Sequence, residues 1–128
     1  MKLLFDTNVL LWATREPSRL SKNAARAILD PHNDRFVSLV SMWELQIKFG
    51  PGKLTLPSPI EDLWPLWMRD LAATTLPIEA RHIGGLSRLP QIHKDPFDRL
   101  LAAQARHEGM TIVSSDQIFS QYGIPMIS

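Results

Sequence analysis

Lys2-Leu3-Leu4-Phe5-Asp6-Thr7-Asn8-Val9-Leu10-Leu11-Trp12 is the stretch on which the reading of the chain turns. Lys2 to Phe5 has the short apolar character of a strand buried on both faces. Asp6-Thr7-Asn8 interrupts it with side chains that bond nearby backbone groups and so favour caps and turns. A second apolar run, Val9 to Trp12, follows at once. The reading is strand, carboxylate at the strand's C-terminal end, then helix. In open α/β sheets that edge is where ligands bind. The plainer reading of Asp6 alone is a helix cap, so its meaning depends on what lies downstream.

Working outward, Ser21 caps a helix to Asp30, whose stripe is Ala24, Ala25, Ile28 and Leu29. Phe36 to Val40 reads as a second strand, and Ser41 with Glu44 has the form of a capping box opening a helix to Phe49. Gly50-Pro51-Gly52 stops it, and Leu54 to Pro59 is extended. Ile60 to Ala73 is helical despite Pro65, Thr74 to Ile78 a short strand, and Glu79 to Leu89 a helix loosened by Gly84-Gly85. The best-punctuated helix is Pro96 to His107, with Pro at its start and Gly109 beyond its end. Met110 to Ser114 is a strand, a short helix runs to Tyr122, and Ile124 to Ile127 reads as an edge strand that tolerates Pro125. Alternating strands and helices predict one α/β domain over residues 1–128, with a central parallel sheet of four to five strands covered on both faces. The strand order is not legible.

The 128 residues are enough for a real core, and 45% hydrophobic content is ordinary for a globular chain. There is no cysteine, which excludes disulfides and thiolate metal sites and fits a reducing cytoplasm. Asp6 and Asn8 spoil a signal peptide, and no run approaches the roughly 18 apolar residues of a membrane span. The net charge of +1, from 14 basic and 13 acidic residues, neither demands nor excludes a nucleic-acid partner.

Three more carboxylates stand where Asp6 stands, near a strand end or in a helix's first turn: Glu44, Asp98 and Asp116. Singly, Glu44 completes a capping box or pairs with Lys48, Asp98 answers the helix dipole, and Asp116 is a first-turn residue. Together they say more. Asp98 heads the stripe Leu101-Ala102-Ala105, and Asp6 and Asp116 both follow apolar strands, on one rim of one sheet. Four carboxylates converging there repel unless a cation compensates, and hard oxygen ligands suit Mg²⁺ or Mn²⁺. The chemistry such a set supports is metal-assisted hydrolysis of a phosphodiester. Two other classes stay open: a protein–protein module with idle acids, and a phosphoryl-handling domain with Asp6 as nucleophile. The second is weakened because Asn8 stands where a phosphatase has another Asp, and because Ser115-Asp116 follows the late strand where a receiver has Lys.

Asp6-Thr7-Asn8, Trp43-Glu44, Asp95-Pro96-Phe97-Asp98-Arg99-Leu100-Leu101-Ala102-Ala103-Gln104-Ala105 and Val113-Ser114-Ser115-Asp116 resemble the PIN domain, above all the VapC-type toxins of type II toxin–antitoxin pairs. Ile47-Lys48 and Gly52-Lys53-Leu54 match one branch of them, so the resemblance spans the chain. It implies a PIN-like three-layer α/β/α fold and an Mg²⁺- or Mn²⁺-dependent endoribonuclease inhibited by a cognate antitoxin, with a homodimer suggested. It assigns the metal-binding acids to Asp6, Glu44, Asp98 and Asp116, with Asp98 preferred to Asp95, the N-cap before Pro96. Ser114 matches a supporting hydroxyl, and Thr7 and Asn8 stand behind the acids. Lys48, Lys53, Lys94 and Arg99 are the candidates for RNA phosphates, Arg99 foremost; their plainer reading is a solvated face. His93 is a proton-transfer or loop-anchoring candidate. Trp12, Trp43, Trp64 and Trp67 are base-stacking candidates, or core or interface. An exposed apolar patch from Ile60 to Trp67 would suit an antitoxin or a second copy of the chain.

Overall fold

The computed structural model describes residues 1–49 and 56–128. β1 (Lys2–Phe5) runs down the middle, and Leu3, Leu4 and Phe5 are all fully buried, as in a central strand with both faces covered. Leu4 packs on one face with Val40, Leu101, Ile112 and Phe119. Leu3 and Phe5 pack on the other with Val9, Leu10, Val37, Leu45, Trp64 and Val113. The two-residue period of a strand feeds two cores at once.

β2 (Asp34–Ser38), β3 (Ala73–Leu76), β4 (Thr111–Val113) and β5 (Met126–Ile127) complete a five-stranded sheet in the order β3-β2-β1-β4-β5, parallel at every pairing. Leu4 is level with Phe36 on one side and Ile112 on the other. The chain leaves β1 toward β2 and β3, then returns to β1's other side for β4 and β5. The topological switch point therefore falls between β1 and β4, and crevices beyond the carboxyl ends of the strands at such points are where open α/β sheets take ligands.

The helices are α1 (Thr7–Arg15), α2 (Lys22–Leu29), α3 (Leu39–Lys48), α4 (Ile60–Leu71), α5 (Ala80–Gly84), α6 (Pro96–Glu108) and α7 (Ile118–Gln121). Of the boundaries that the structure moves, the start of α3 bears on the site. β2 ends at Ser38, and Ser38 rather than Ser41 caps α3, its Oγ accepting from the Val40 N–H at 2.9 Å. The β-branched Val40 and the Ser-to-Glu spacing favoured a later start, but Val40 is fully buried as a helical residue and Ser41 turns inward toward Thr7.

The apolar patch expected from Ile60 to Trp67 is not on the surface. Ile60, Trp64 and Trp67 are buried, Trp64 Nε1 donates to Thr75 Oγ1 at 2.9 Å, and Pro65 and Leu66 are left outside. The stripe is that of an amphipathic helix seated on its own core. Pro65 does stand inside α4, its ring facing solvent. Asp95 caps α6 through bonds from the Phe97 and Asp98 N–H groups at 2.8 and 3.3 Å, and Gly109 closes it at φ 66°.

Candidate active site at the carboxyl edge of the sheet

Asp6 is the first residue past β1 and the N-cap of α1, with Oδ1 accepting from the Val9 N–H at 2.7 Å. Its backbone N–H donates to Val113 O at 3.1 Å, so it lies against the end of β4. Its Oδ2 accepts from the Ser114 hydroxyl, and Ser114 Oγ in turn accepts from the Asp116 N–H at 3.0 Å. Burial pushes the Asp6 pKa up, and the charges of Glu44 and Asp116 push the same way; the bonds from Ser114 and Val9 oppose them.

Glu44 enters from α3. It is buried, with Oε1 accepting from the Thr7 hydroxyl at 2.5 Å and Oε2 paired with Lys48 Nζ at 2.6 Å. Thr7 Oγ1 also lies 3.0 Å from Ser41 Oγ, so a run of side chains joins the start of α1 to α3. The Ser41 contribution was hidden in the sequence, because the capping-box spacing to Glu44 had already assigned Ser41 to the start of the helix.

Asp98 stands in the first turn of α6, and its Oδ2 lies 3.1 Å from His93 Nε2. Its pKa is raised to about 6, first by burial, then by the negative charges of Asp95 and Glu44, with His93 acting against them. Asp116 is exposed after β4, with Oδ1 accepting from the Ile118 N–H at 3.0 Å.

Asp6, Glu44, Asp98 and Asp116 line one cleft of about 180 Å³ together with Thr7, Asn8, Lys48 and Asp95. The structure thus brings the four acids together and adds a fifth, Asp95, which the sequence offered only as a cap. Facing five carboxylates, Lys48 is the one cation among the described residues that lines the cleft. The raised pKa values of Asp6 and Asp98 register that imbalance as well as burial. Hard oxygen donors, excess negative charge and room for an ion with water make the residues fit a divalent cation such as Mg²⁺ or Mn²⁺. His93, Asp95 and Asp98 also offer ligand atoms all within 4.8 Å of one another.

The cations divide. Lys48 is bound to Glu44, and Lys94 is exposed beside Asp95. Lys53 lies outside the described residues, as does the Gly50-Pro51-Gly52 stop. Arg99, the foremost RNA candidate, is placed elsewhere: its guanidinium donates to Pro90 O, Leu86 O and Tyr122 Oη at 2.9, 3.2 and 3.3 Å. It fastens the segment before α6 to the end of α7, a use of the planar fork that adjacency to Asp98 did not reveal. Of the tryptophans, Trp64 and Trp67 are core, Trp12 is half-buried under the Arg19 guanidinium, and Trp43 is exposed.

The PIN domain family model matches residues 3–125. Ribonuclease VapC22 of Mycobacterium tuberculosis is 30% identical over 122 residues, covering 90% of this chain and 87% of that protein. Among solved structures, VapBC2 of Rickettsia felis bound to a fragment of promoter DNA aligns at a TM-score of 0.73 and 16% identity over 98% of this chain and 97% of its own. VapBC-5 of Mycobacterium tuberculosis, from the VapBC family of toxin–antitoxin systems, aligns at 0.61 and 17% identity over 98% and 97%. The likeness to the solved structures is one of fold, and it agrees with the parallel sheet and helical layers described above. The family match over nearly the whole length, and the identity with a VapC ribonuclease, establish that this chain belongs to the PIN-domain family, in its VapC-type branch.

Proposed function

We propose that the chain is the endoribonuclease toxin of a type II toxin–antitoxin pair and that it cuts RNA with the help of Mg²⁺ or Mn²⁺. The observation that carries the reading is the meeting of Asp6, Glu44, Asp98 and Asp116 in one cleft at the switch point of the sheet. A divalent ion held there would lower the pKa of a water and stabilise the charge developing on the phosphate. The chain's own groups do the rest. Asp6, Glu44, Asp98 and Asp116 supply the oxygens; Ser114 orients Asp6, and Thr7 orients Glu44. Asn8, exposed at the mouth, and Lys94 face the strand, with Lys94 answering a phosphate. His93, hydrogen-bonded to Asp98, holds the loop before α6 against the cleft.

The branch supplies the partners of the proposal: an RNA substrate, a cognate antitoxin that blocks the cleft, and a second copy of the chain in the cytoplasm. No helix of the described residues is long and apolar enough to cross a membrane. The test is cleavage of a mixed RNA pool by the purified chain with Mn²⁺ and with EDTA. The expected result is cleavage with metal only, abolished in Asp6→Asn and Asp98→Asn while the circular dichroism of both stays native. Full activity in either variant overturns the assignment, and no cleavage or metal binding at all leaves an interaction module with idle acids.

A further inference from the structure

The seam between α3 and α6 carries more than two acids. Trp43 on α3 and Phe97 on α6 meet edge to face, with centroids 4.8 Å apart and planes at 77°. Each immediately precedes an acid of the cleft, Glu44 and Asp98, and the charge of Glu44 is among the influences that raise the Asp98 pKa. The aromatic contact therefore sits one residue away from the acid contact, across the same pair of helices. Buried tryptophans in this chain have a clear occupation, such as the bond of Trp64 to Thr75. Trp43 does not: its residue is 49% exposed, and half of a large apolar ring faces water one position before Glu44, a wall of the acid cleft. Ile47, one turn on, extends the surface at 56% exposure.

We infer that Trp43, braced by Phe97, is the platform on which one unpaired nucleobase of the RNA stacks, beside the phosphate held at the acids. The inference rests on the nuclease reading above and adds a positioning residue to it. A ring already held by an edge-to-face partner loses little freedom when a base settles on it, and every base has a face to offer. Stacking needs a base released from its neighbours, so the platform selects single-stranded segments over duplex. It fixes the strand laterally, while a cation held by the acids would fix it at the phosphate. A second copy of the chain would instead cover Trp43 and Ile47 together.

The test begins by mapping where the wild-type protein with Mn²⁺ cuts a single-stranded RNA of mixed sequence. Bases flanking the cut are then replaced one at a time by abasic ribose, and kcat/KM is measured for the wild type, Trp43→Ala and Trp43→Phe. One flanking abasic position is expected to lower wild-type kcat/KM about tenfold or more. Trp43→Ala is expected to lower it by a similar factor on intact RNA and to be indifferent to that same abasic position, and Trp43→Phe to restore the dependence. Loss of packing alone would leave the abasic sensitivity unchanged. Wild-type sensitivity persisting in Trp43→Ala, or unaltered cleavage by that variant, overturns the platform while leaving the nuclease standing. A shift in sedimentation with per-site cleavage unaltered also overturns it, assigning the face to a second copy. Absence of any wild-type cleavage removes the nuclease reading and the platform with it.

Discussion

The Ser114 hydroxyl donates to the carboxylate of Asp6, tying together two strand ends 108 positions apart in the chain. The same oxygen accepts from the Asp116 N–H, so one small side chain seats two acids of the cleft. Ser114→Ala deprives a buried carboxylate of a donor and leaves the Asp116 N–H to find water. A lost bond to a charged group of this kind costs about 1.5–3 kcal/mol. Without it the Asp6 pKa rises further, since the Ser114 bond is the largest influence holding it down. Denaturant unfolding should show the loss, and Mn²⁺ titration calorimetry at neutral pH should show an affinity several-fold weaker. Ser114→Thr keeps the hydroxyl and should restore both; equal affinity in Ser114→Ala would show that Asp6 is oriented by other means.

Asp98 makes the ion-free protein pH-sensitive in a direction opposite to the usual carboxylate. Its folded pKa of about 6 lies above the ordinary 3.8, so the folded state binds more protons than the unfolded chain between those values. Stability then falls as pH rises through that window, and the full penalty is present above about pH 6. Asp98→Asn removes this dependence. In EDTA at pH 7 the variant should exceed the wild type by about 1–2 kcal/mol, after allowing for the partial exposure of the group, and the gap should close toward pH 4. Thermal melts of the pair across pH 4 to 8 check it. A divalent ion should narrow the gap at pH 7, and its wild-type affinity should weaken below about pH 6 as protons compete. A gap that stays constant with pH would mean that Asp98 titrates normally.

The sheet was legible where the sequence was local. Leu3 to Phe5 followed by Asp6 has one economical reading, and Asp95-Pro96 with Gly109 brackets α6 by chemistry that needs no neighbours. Strand order was not, because pairing β1 with both β2 and β4 is decided by long-range packing; with it the switch point was hidden too. The acids could be named from their placement after strands and in first turns, but not Asp95 as a wall of the same cleft, since its capping role already accounted for it. Arg99 and the Ile60-to-Trp67 stripe went the other way. Both looked free in a string of letters, and both were taken up by partners that only the fold supplies: the Leu86 and Pro90 carbonyls for the one, the second core for the other.

Arg99 and Lys94 consequently separate stability from binding. Arg99→Lys keeps the charge and loses the fork, so the carbonyls of Leu86 and Pro90 and the Tyr122 hydroxyl can no longer be reached together. Unfolding should become easier by about 1–2 kcal/mol, with the salt dependence of RNA binding unaltered. Lys94→Ala should do the reverse, leaving the melting temperature in place and lowering the slope of log K against log salt by about 1. Binding isotherms at several salt concentrations, set beside melts of both variants, measure the two effects. A slope reduced by about 1 in Arg99→Ala, which removes the charge, would put its guanidinium on the RNA.

Gln104 holds α6 to the rest of the molecule from inside. It is fully buried in a helix otherwise lined with Leu and Ala, and its Oε1 accepts from the Ser38 hydroxyl at 2.5 Å. Its Nε2 donates to Pro77 O at 3.1 Å and lies 3.2 Å from His82 Nδ1. Since the Glu79 N–H also donates to His82 Nδ1 at 3.0 Å, the neutral ring carries its proton on Nε2, facing Glu108 Oε1 at 3.1 Å. Ser38 is at once the cap of α3, which bears Glu44, and a donor to α6, which bears Asp98. Gln104→Leu preserves size but strands the Ser38 hydroxyl and the Pro77 carbonyl, and leaving them unpaired costs about 1–3 kcal/mol each. The combined Ser38→Ala, Gln104→Leu variant removes one of those stranded groups but also the cap of α3, so its loss should fall short of the sum of the two single losses, a coupling visible in a double-mutant cycle. Because the bond joins the two helices that carry opposing acids, Gln104→Leu should also weaken Mn²⁺ binding in protein that is still folded. Calorimetry at a temperature well below the variant's melt reads that effect, and unchanged affinity would confine the Ser38–Gln104 bond to stability.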